Sequence, residues 1–534
     1  MNELSTKRWT MIADLERCVG CQTCTAACKH ANATSPAVQW RRVLDIESGT
    51  YPDVRRTFVP VGCMHCSDPP CMHVCPSTAT GQRDDGIVTI DYDLCIGCAY
   101  CAVACPYQAR YKVQRPTFAY GGVYGDKMKN EAEREDPARL GVAQKCTWCS
   151  DRIDFGLEND LTPGIDPRAT PACVNACIAD ALHFGDANNP ESNVSKMLAG
   201  SKTFKMHAEL GTDPNFHYVY GDNDSSEANS GDMVKTVNNS ADLGVKPWLQ
   251  QHWDWRAAGN FIGGGTGGGL AVMGALAAAL GATPGALQLA AMASVALGLF
   301  MVFLETGRPL RAPLNVLFHP QTSWMTREAM IGIVFFPVAF AALWMGSREL
   351  AIVAGLLGLA FVFTQGRILT EAKGIPAWRN AAMLPLILST GLAEGAGLTL
   401  AATAVFPIVF GGFQMVSLWA VLALAVLRVA AWMNYRNQLA GNAPEMTLRV
   451  LGGVNPAMIV VGHLLPIGLA GAAMAFPVHA PLSAFLAGIS VAVTGWAMKY
   501  IIVVKASYNQ GYAIEKVPAR GISGIAAGVQ PGWK

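Results

Sequence analysis

The chain has 534 residues, of which 51% are hydrophobic and 15% charged, and its net charge is +1. The length exceeds one ordinary domain, the charge content is low for a water-soluble protein of this size, and the neutral balance argues against nucleic acid as a partner. The average conceals a division: residues 1–249 carry 24 Lys and Arg against 31 Asp and Glu, whereas residues 250–534 carry 16 against 8.

Residues 1–220 read as short strands and helices between cysteine-rich loops, and all sixteen cysteines lie before residue 178. The N-terminal residues lack the apolar run of a secretory signal and a twin arginine. A disulfide scaffold, usual for many cysteines in a short secreted chain, is therefore set aside. The cysteines fall into four sets: Cys18, Cys21, Cys24 and Cys28; Cys63, Cys66, Cys71 and Cys75; Cys95, Cys98, Cys101 and Cys105; and Cys146, Cys149, Cys173 and Cys177. A [4Fe–4S] cluster needs four thiolates, and one tight loop supplies three of them. In two-cluster ferredoxins the fourth cysteine of each run reaches the neighbouring cluster, and Pro76 and Pro106 follow the last cysteines of sets two and three as that pattern expects. Zinc competes for C-x-x-C pairs, but a third cysteine after two more residues is not zinc-ribbon spacing. Four sets with none left over predict four [4Fe–4S] clusters.

Further along, Gly86–Cys98 alternates as a strand before turning into a cluster loop, and Asn215–Tyr220 is an aromatic run. Residues 221–249 have linker composition, rich in Asp, Asn, Ser and Gly. Eight apolar stretches then follow, near 257–281, 284–304, 328–346, 349–366, 379–403, 411–433, 456–477 and 482–504, the third and fourth of them short. Two runs of small residues, Gly263–Gly269 and Gly468–Ala475, suit close helix contact in lipid. Residues 511–534 read as a C-terminal tail. An even number of spans puts both ends of this half on one face. The loops on that face hold most of the Lys and Arg, with Arg348 the only one opposite, so the cysteine half is expected on the cytoplasmic face of a bacterial-type inner membrane.

Residues 10–220, with these four cysteine sets, resemble the four-cluster iron–sulfur subunit of molybdopterin oxidoreductases such as dimethyl sulfoxide reductase and polysulfide reductase. The resemblance implies a crossed pairing. Cys18, Cys21, Cys24 and Cys177 would share one cluster, and Cys146, Cys149, Cys173 and Cys28 the next. Cys63, Cys66, Cys71 and Cys105 would share a third, and Cys95, Cys98, Cys101 and Cys75 the fourth. Nitrate-reductase relatives have a tryptophan at one cluster cysteine; Cys98 and Cys101 are both present here, so four cubanes are expected. Leu157–Pro171 is long for this resemblance and reads as a surface insertion.

Residues 250–510 resemble the heme-free anchor subunits of the same complexes, on their eight spans and on Phe303–Ala329, "FLETGRPLRAPLNVLFHPQTSWMTREA". Such anchors exchange electrons with a quinone. Glu305, Arg308, Arg311, Arg327 and Glu328 are the candidate quinone-binding residues, with His319 and Trp324 behind them; the alternative is that these charges dock the two halves. Glu394, His463, Arg428 and Lys499 fall within or at the ends of spans, where they either line a proton path or, for the two basic residues, snorkel. Only His463 lies well inside a span, so no heme is expected, and nothing resembles a pterin-binding chain. The fold expected is an α+β double ferredoxin-like iron–sulfur domain followed by an all-α polytopic membrane bundle. The expected function is an electron-transfer and anchor subunit linking a separate molybdopterin catalytic subunit to quinone in the lipid membrane. Reverse flow from quinol and a redox-coupled proton pump are the alternatives.

Overall fold

The computed structural model describes residues 6–35, 38–48, 55–114, 136–222, 247–407, 412–512, 514–518 and 525–529. They form two compact units: Met1–Trp248 with Gln510–Trp533, and Leu249–Asn509.

The first unit is built on β1 (Trp9–Asp14), α1 (Thr23–Asn32), β2 (Arg41–Ser48), β3 (Arg55–Gly62), α2 (Pro70–His73), β4 (Thr80–Gln82), β5 (Val88–Ile90), α3 (Tyr100–Ala104), β6 (Tyr111–Lys112), β7 (Ala143–Gln144), α4 (Ser150–Glu158), α5 (Ala172–Asn175), β8 (Leu182–Asp186), α6 (Asn193–Gly200), β9 (Ser201–Phe204) and β10 (Phe216–Asp222). A four-stranded sheet runs β8-β1-β10-β9, with β1 and β10 parallel and the outer pairs antiparallel. Side chains alternate across it, as a pleat requires. Trp9, Met11, Ala13, Phe216 and Tyr218 join the core that contains the cysteines, while Ile12 and Val219 turn the other way and pack under Val194 of α6. The aromatic run read at Asn215–Tyr220 is thus an inner strand, its Tyr218 stacked on Phe204 of β9 at 5.1 Å, while Trp9 of β1 stacks on Phe184 of β8 at 5.3 Å. The cluster loops lie on the aromatic face, joined by the hairpins β2–β3, β4–β5 and β6–β7.

Leu157–Pro171, read as a surface insertion, is only partly one. Ile165 is exposed, but Ala169 and Thr170 are buried and Arg152 donates to the Thr170 carbonyl at 2.8 Å. Gly164 permits this, since a Cβ there would lie 1.8 Å from the Phe184 oxygen. Most of the linker lies outside the described residues. The tail does not hang free: Tyr512 is fully buried in the first unit, Arg42 donates to its hydroxyl, and Gln510 Nε2 donates to the Pro106 carbonyl at 3.1 Å. Strands β11 (Ile514–Pro518) and β12 (Ile525–Val529) pair antiparallel beyond it.

The second unit contains, among the described residues, eight helices long and apolar enough to cross a membrane. They are α7 (Trp255–Ala279), α8 (Gly285–Glu305), α9 (Trp324–Met345), α10 (Arg348–Thr370), α11 (Met383–Val405), α12 (Phe413–Leu439), α13 (Glu445–Ala475) and α14 (Ala480–Lys505). The third and fourth are full-length, at 22 and 23 residues, because polar end residues such as Thr326 and Arg367 continue the helix although they lower local hydropathy. Large apolar side chains face outward (Leu289, Ile333, Phe340, Trp344), as lipid rather than water would favour. The segments that lead into and out of the bundle bond to each other: Leu249 bridges Tyr508, and Gln250 N donates to the Ser507 carbonyl at 3.1 Å.

Helix α7 is the hub, and its glycines explain why. Gly263 and Gly267, one turn apart, meet the Ser294 and Ala291 carbonyls of α8; Gly268 meets Gly358 of α10; Gly269 meets Gly391 of α11. A Cβ at any of them would come within 2.1–2.8 Å of a neighbouring backbone oxygen. The second small-residue run does not behave this way: Gly468 and Gly471 have nothing within 4 Å of an added Cβ. Composition marks small residues, but only packing decides which of them a helix approaches. Gly269→Ala should therefore lower the melting temperature of the detergent-solubilised chain, by overpacking worth about 1–3 kcal/mol. Gly453→Ala, where nothing lies within 4 Å, should be neutral or stabilising. Equal effects at the two positions would contradict the hub.

Candidate functional site

The four cysteine loops share one backbone device. The residue just before the second cysteine is left-handed in each: Gly20 (φ 72°), His65 (φ 42°), Gly97 (φ 71°) and Trp148 (φ 55°). In the first and third loops the residue after that cysteine, Gln22 or Ala99, is left-handed too. Such turns point successive N–H groups to one side, forming an anion-binding nest. Several N–H groups reach sulfur: Trp148 to Cys146 at 3.4 Å, Thr80 to Cys75 at 3.5 Å and Ala181 to Cys177 at 3.2 Å. Gly20 has a second reason to be glycine, since a Cβ would lie 2.4 Å from the Phe58 ring.

The structure brings together cysteines from different loops. One cavity is lined by Cys18, Cys21, Cys24 and Cys177. Another is lined by Cys63, Cys66, Cys71 and Cys105. Asn32 Nδ2 lies 3.7 Å from Cys28 Sγ and 3.8 Å from Cys149 Sγ, which joins the first set to the fourth. Burial raises the Cys28 thiol first, and the neighbouring Cys146, Cys173 and Cys149 sulfurs raise it further. Burial likewise raises Cys98, followed by Cys101, Cys75 and Cys95.

The donor set fits polynuclear iron. Among the described residues no three Cys, His, Asp or Glu side chains converge on a single-ion site. Tetrahedral zinc at 2.3 Å per bond would need its sulfurs about 3.8 Å apart. Burial pushes Cys101, Cys105 and Cys146 up to about 12, and Cys24 and Cys149 up to about 11. Bare thiols here would be neutral, and a coordinating metal would deprotonate them. Three cations are buried among the cysteines, Arg41, Arg110 and Lys145, each no more than 3% exposed. Sequence reasoning passed over them; only Lys145, adjacent to Cys146, carried a positional hint.

Among the five candidate quinone residues, Arg327 and Glu328 take different partners. Glu305 ends α8 and is buried; Arg308 and Arg311 are half-buried in the following connection. Arg327 bonds the carbonyls of Pro320 and Gln321 at 2.9 and 2.5 Å and stacks on Trp324, whose ring Arg367 also approaches, at 5.0 Å. Glu328, one residue on and so turned about a quarter of a helical turn away, is buried and accepts from Asn260 Nδ2 at 3.3 Å. Gln365 of α10 reaches the same place, donating to the Asn260 carbonyl at 2.9 Å. His319 bonds Thr322 within its own loop at 3.3 Å.

Lys499 and Arg428 do not snorkel. Both are fully buried, because interior partners are in reach. Lys499 pairs with fully buried Glu394 at 2.7 Å, and Thr266, the one non-glycine of the Gly263–Gly269 run, donates to Glu394 at 2.8 Å. Arg428 Nε donates to His463 Nε2 at 3.2 Å, and His463 Nδ1 bonds the Met458 carbonyl at 2.6 Å, so both ring nitrogens are engaged. Pro466 has no N–H for the turn before it, where α13 widens over Val460–Leu464. The Val461 and Gly462 carbonyls accept instead from Ser490 and Arg428.

Comparison with known proteins places this geometry. A 4Fe-4S dicluster domain matches residues 54–119. A selenate reductase subunit of Mesobacillus selenatarsenatis is 38% identical over 235 residues, 41% of this chain and 73% of that protein. A putative dimethyl sulfoxide reductase iron–sulfur subunit of Halobacterium salinarum is 41% identical over 226 residues, 40% of this chain and 79% of that protein. The iron–sulfur cluster-binding subunit of menaquinone reductase from Nitratidesulfovibrio vulgaris is 34% identical over 230 residues, 40% of this chain and 88% of that protein. With the cysteine loops and the likeness both confined to the first unit, and eight apolar helices following in the same polypeptide, the chain belongs to the iron–sulfur electron-transfer subunits of molybdopterin reductases, joined here to a polytopic anchor.

Proposed function

We propose that the first unit holds four [4Fe–4S] clusters in the crossed sets described above and carries electrons between a molybdopterin catalytic partner and a quinone at the bundle. The observation that carries this reading is the gathering of Cys177 with Cys18, Cys21 and Cys24 around one cavity and of Cys105 with Cys63, Cys66 and Cys71 around another. Each cluster, when bound, accepts and passes on one electron. The protein's own share is to supply sixteen sulfurs, to aim N–H groups at them and to keep water out. Quinone as the exchange partner is supported by the menaquinone reductase relative and by the buried carboxylates of the bundle. A quinone that takes two electrons also takes two protons, and Glu328, with Asn260 and Gln365 beside it, is the interior carboxylate best equipped to pass them.

The loop charges favour the cysteine unit on the cytoplasmic face, which suits flow from a cytoplasmic substrate toward quinone; flow from quinol is the alternative, with an exported catalytic partner. A second reading, proton handling through the bundle, is favoured by the buried Glu394–Lys499 pair and by three buried oxygens, on Asn260, Gln365 and Glu394, without a hydrogen-bond partner among the described residues.

Double substitutions test the crossed sets. Cys28→Ala with Cys149→Ala should remove one cluster, about four of some sixteen irons. Cys28→Ala with Cys21→Ala should remove two, and the opposite result would mean uncrossed sets. Glu328→Gln should slow quinone turnover by about 10²-fold or more with cluster spectra unchanged; full turnover would dismiss it as a proton donor. In sealed right-side-out vesicles, external protease should spare the cysteine unit if it is cytoplasmic; digestion would place it outside and favour flow from quinol. Glu394→Gln should lower the protons moved per electron in proteoliposomes, and an unchanged ratio would end the second reading.

A further inference from the structure

Among the described residues of the first unit, the buried cations Arg41, Lys145 and Arg110 are distributed among the cysteine sets in an orderly way. Arg41 is fully buried, and Cys173, Cys146, Cys24 and Cys28 are near enough to act on it electrostatically once they are thiolates. Those sulfurs belong to two sets, Cys18/Cys21/Cys24/Cys177 and Cys28/Cys146/Cys149/Cys173. Its Nη2 donates to Met11 Sδ at 2.9 Å and its guanidinium lies 4.9 Å from the Phe216 ring, while Nε and Nη1 find no hydrogen-bond partner among the described residues. A guanidinium left so poorly bonded in a dry core is explained by diffuse negative charge nearby.

Lys145 stands between the second of those sets and Cys63/Cys66/Cys71/Cys105. Its ammonium donates to the Cys146 carbonyl at 2.6 Å and to the carbonyl of Val88, a residue that lines the cavity of the latter set. The loops of the two sets also touch there, with His65 stacked on Trp148 at 4.1 Å. Arg110 stands between that set and Cys75/Cys95/Cys98/Cys101. Its Nη2 donates to Cys71 Sγ at 2.9 Å, and its Nη1 to Thr80 Oγ1 at 3.0 Å, whose own N–H reaches Cys75 Sγ at 3.5 Å.

We propose that Arg41, Lys145 and Arg110 form a ladder of fixed positive charges, one at each junction between successive clusters, and that each raises the reduction potential of the two clusters it separates. This rests on the ligand sets proposed above. The physical reason is simple. Adding an electron makes a thiolate-bound cluster more negative, and in a dry interior a nearby cation stabilises the reduced form more than the oxidised one. A charge shared by two neighbours lowers the electrostatic cost of an electron on either side of the gap. The order implied is the set with Cys177, the set with Cys28, the set with Cys105, then the set with Cys75.

The test is an EPR-monitored redox titration of the full chain in its complex. The wild type is measured first: fewer than four clusters would fail the ligand reading, not the ladder. Arg41→Gln should lower the potentials of the two clusters it adjoins by at least a tenfold change in their oxidised-to-reduced ratio, 59 mV for a one-electron couple, and leave the other two in place. Arg41→Lys should restore them. Arg110→Gln should shift the pair at the other end. No shift, or an equal shift of all four, overturns the proposal. If Arg41→Gln loses iron, the lysine variant decides: retention of four clusters near their normal potentials supports a charge requirement, and iron loss there too shows that only the shape of arginine matters.

Discussion

The first unit depends on the exchange of protons for iron at buried sulfur. Burial alone holds most of the thiols neutral, and neutral thiols in tight left-handed loops would leave their inward-pointing N–H groups with weak acceptors. Thiolates bound to iron supply both the charge those N–H groups need and the volume that fills the cavities. The same charge accounts for Arg41, Arg110 and Lys145, which would otherwise be three uncompensated cations in a protein core. Loop geometry, cavity and cation are thus three aspects of one electrostatic arrangement, and none is well explained without the metal.

The bundle solves a different problem, that of approaching helices in a medium with no hydrophobic force between them. Close backbone contact along the glycines of α7 supplies dispersion, and a few interior hydrogen bonds supply specificity. Thr266 shows how the two are combined. It interrupts the glycine run at the one position that faces Glu394, so the helix that packs most tightly also binds the buried ion pair. Replacing either member of the Glu394–Lys499 pair leaves the other charge buried without its partner.

The cysteine sets were legible in the sequence because cluster ligands are constrained locally: three thiolates on one loop must recur at short fixed spacing. The spans were legible because lipid demands length and apolarity from each helix separately. What escaped was set by long-range packing. Arg41 and Arg110 look like ordinary surface charges until β2 and the Cys105 loop are folded against the other sets. Arg327 and Glu328 are neighbours in sequence, yet the helix sends one to its own loop and the other to Asn260 on α7. Lys499 and Arg428 could be placed at span ends but not turned inward, since their partners, Glu394 and His463, lie 105 and 35 residues away.

The chain path carries a last consequence. Residues 510–512 complete the core of the first unit, while Leu249–Gln250 and Ser507–Tyr508 bond to each other at the end of the bundle. A helical bundle whose first and last residues are hydrogen-bonded must begin and end on one side of the membrane, and only an even number of crossings allows that. The eight helices meet the requirement. In relatives whose cluster protein is a separate chain, any contact with an anchor is governed by concentration; a covalent connection at both ends replaces that with a fixed effective concentration. The buried Tyr512, held by Arg42 beside the Cys105 loop, makes the second connection part of the core that surrounds the clusters. Fusion in this chain is therefore more than a tether: the polypeptide that leaves the bundle is also a structural element of the electron-carrying unit.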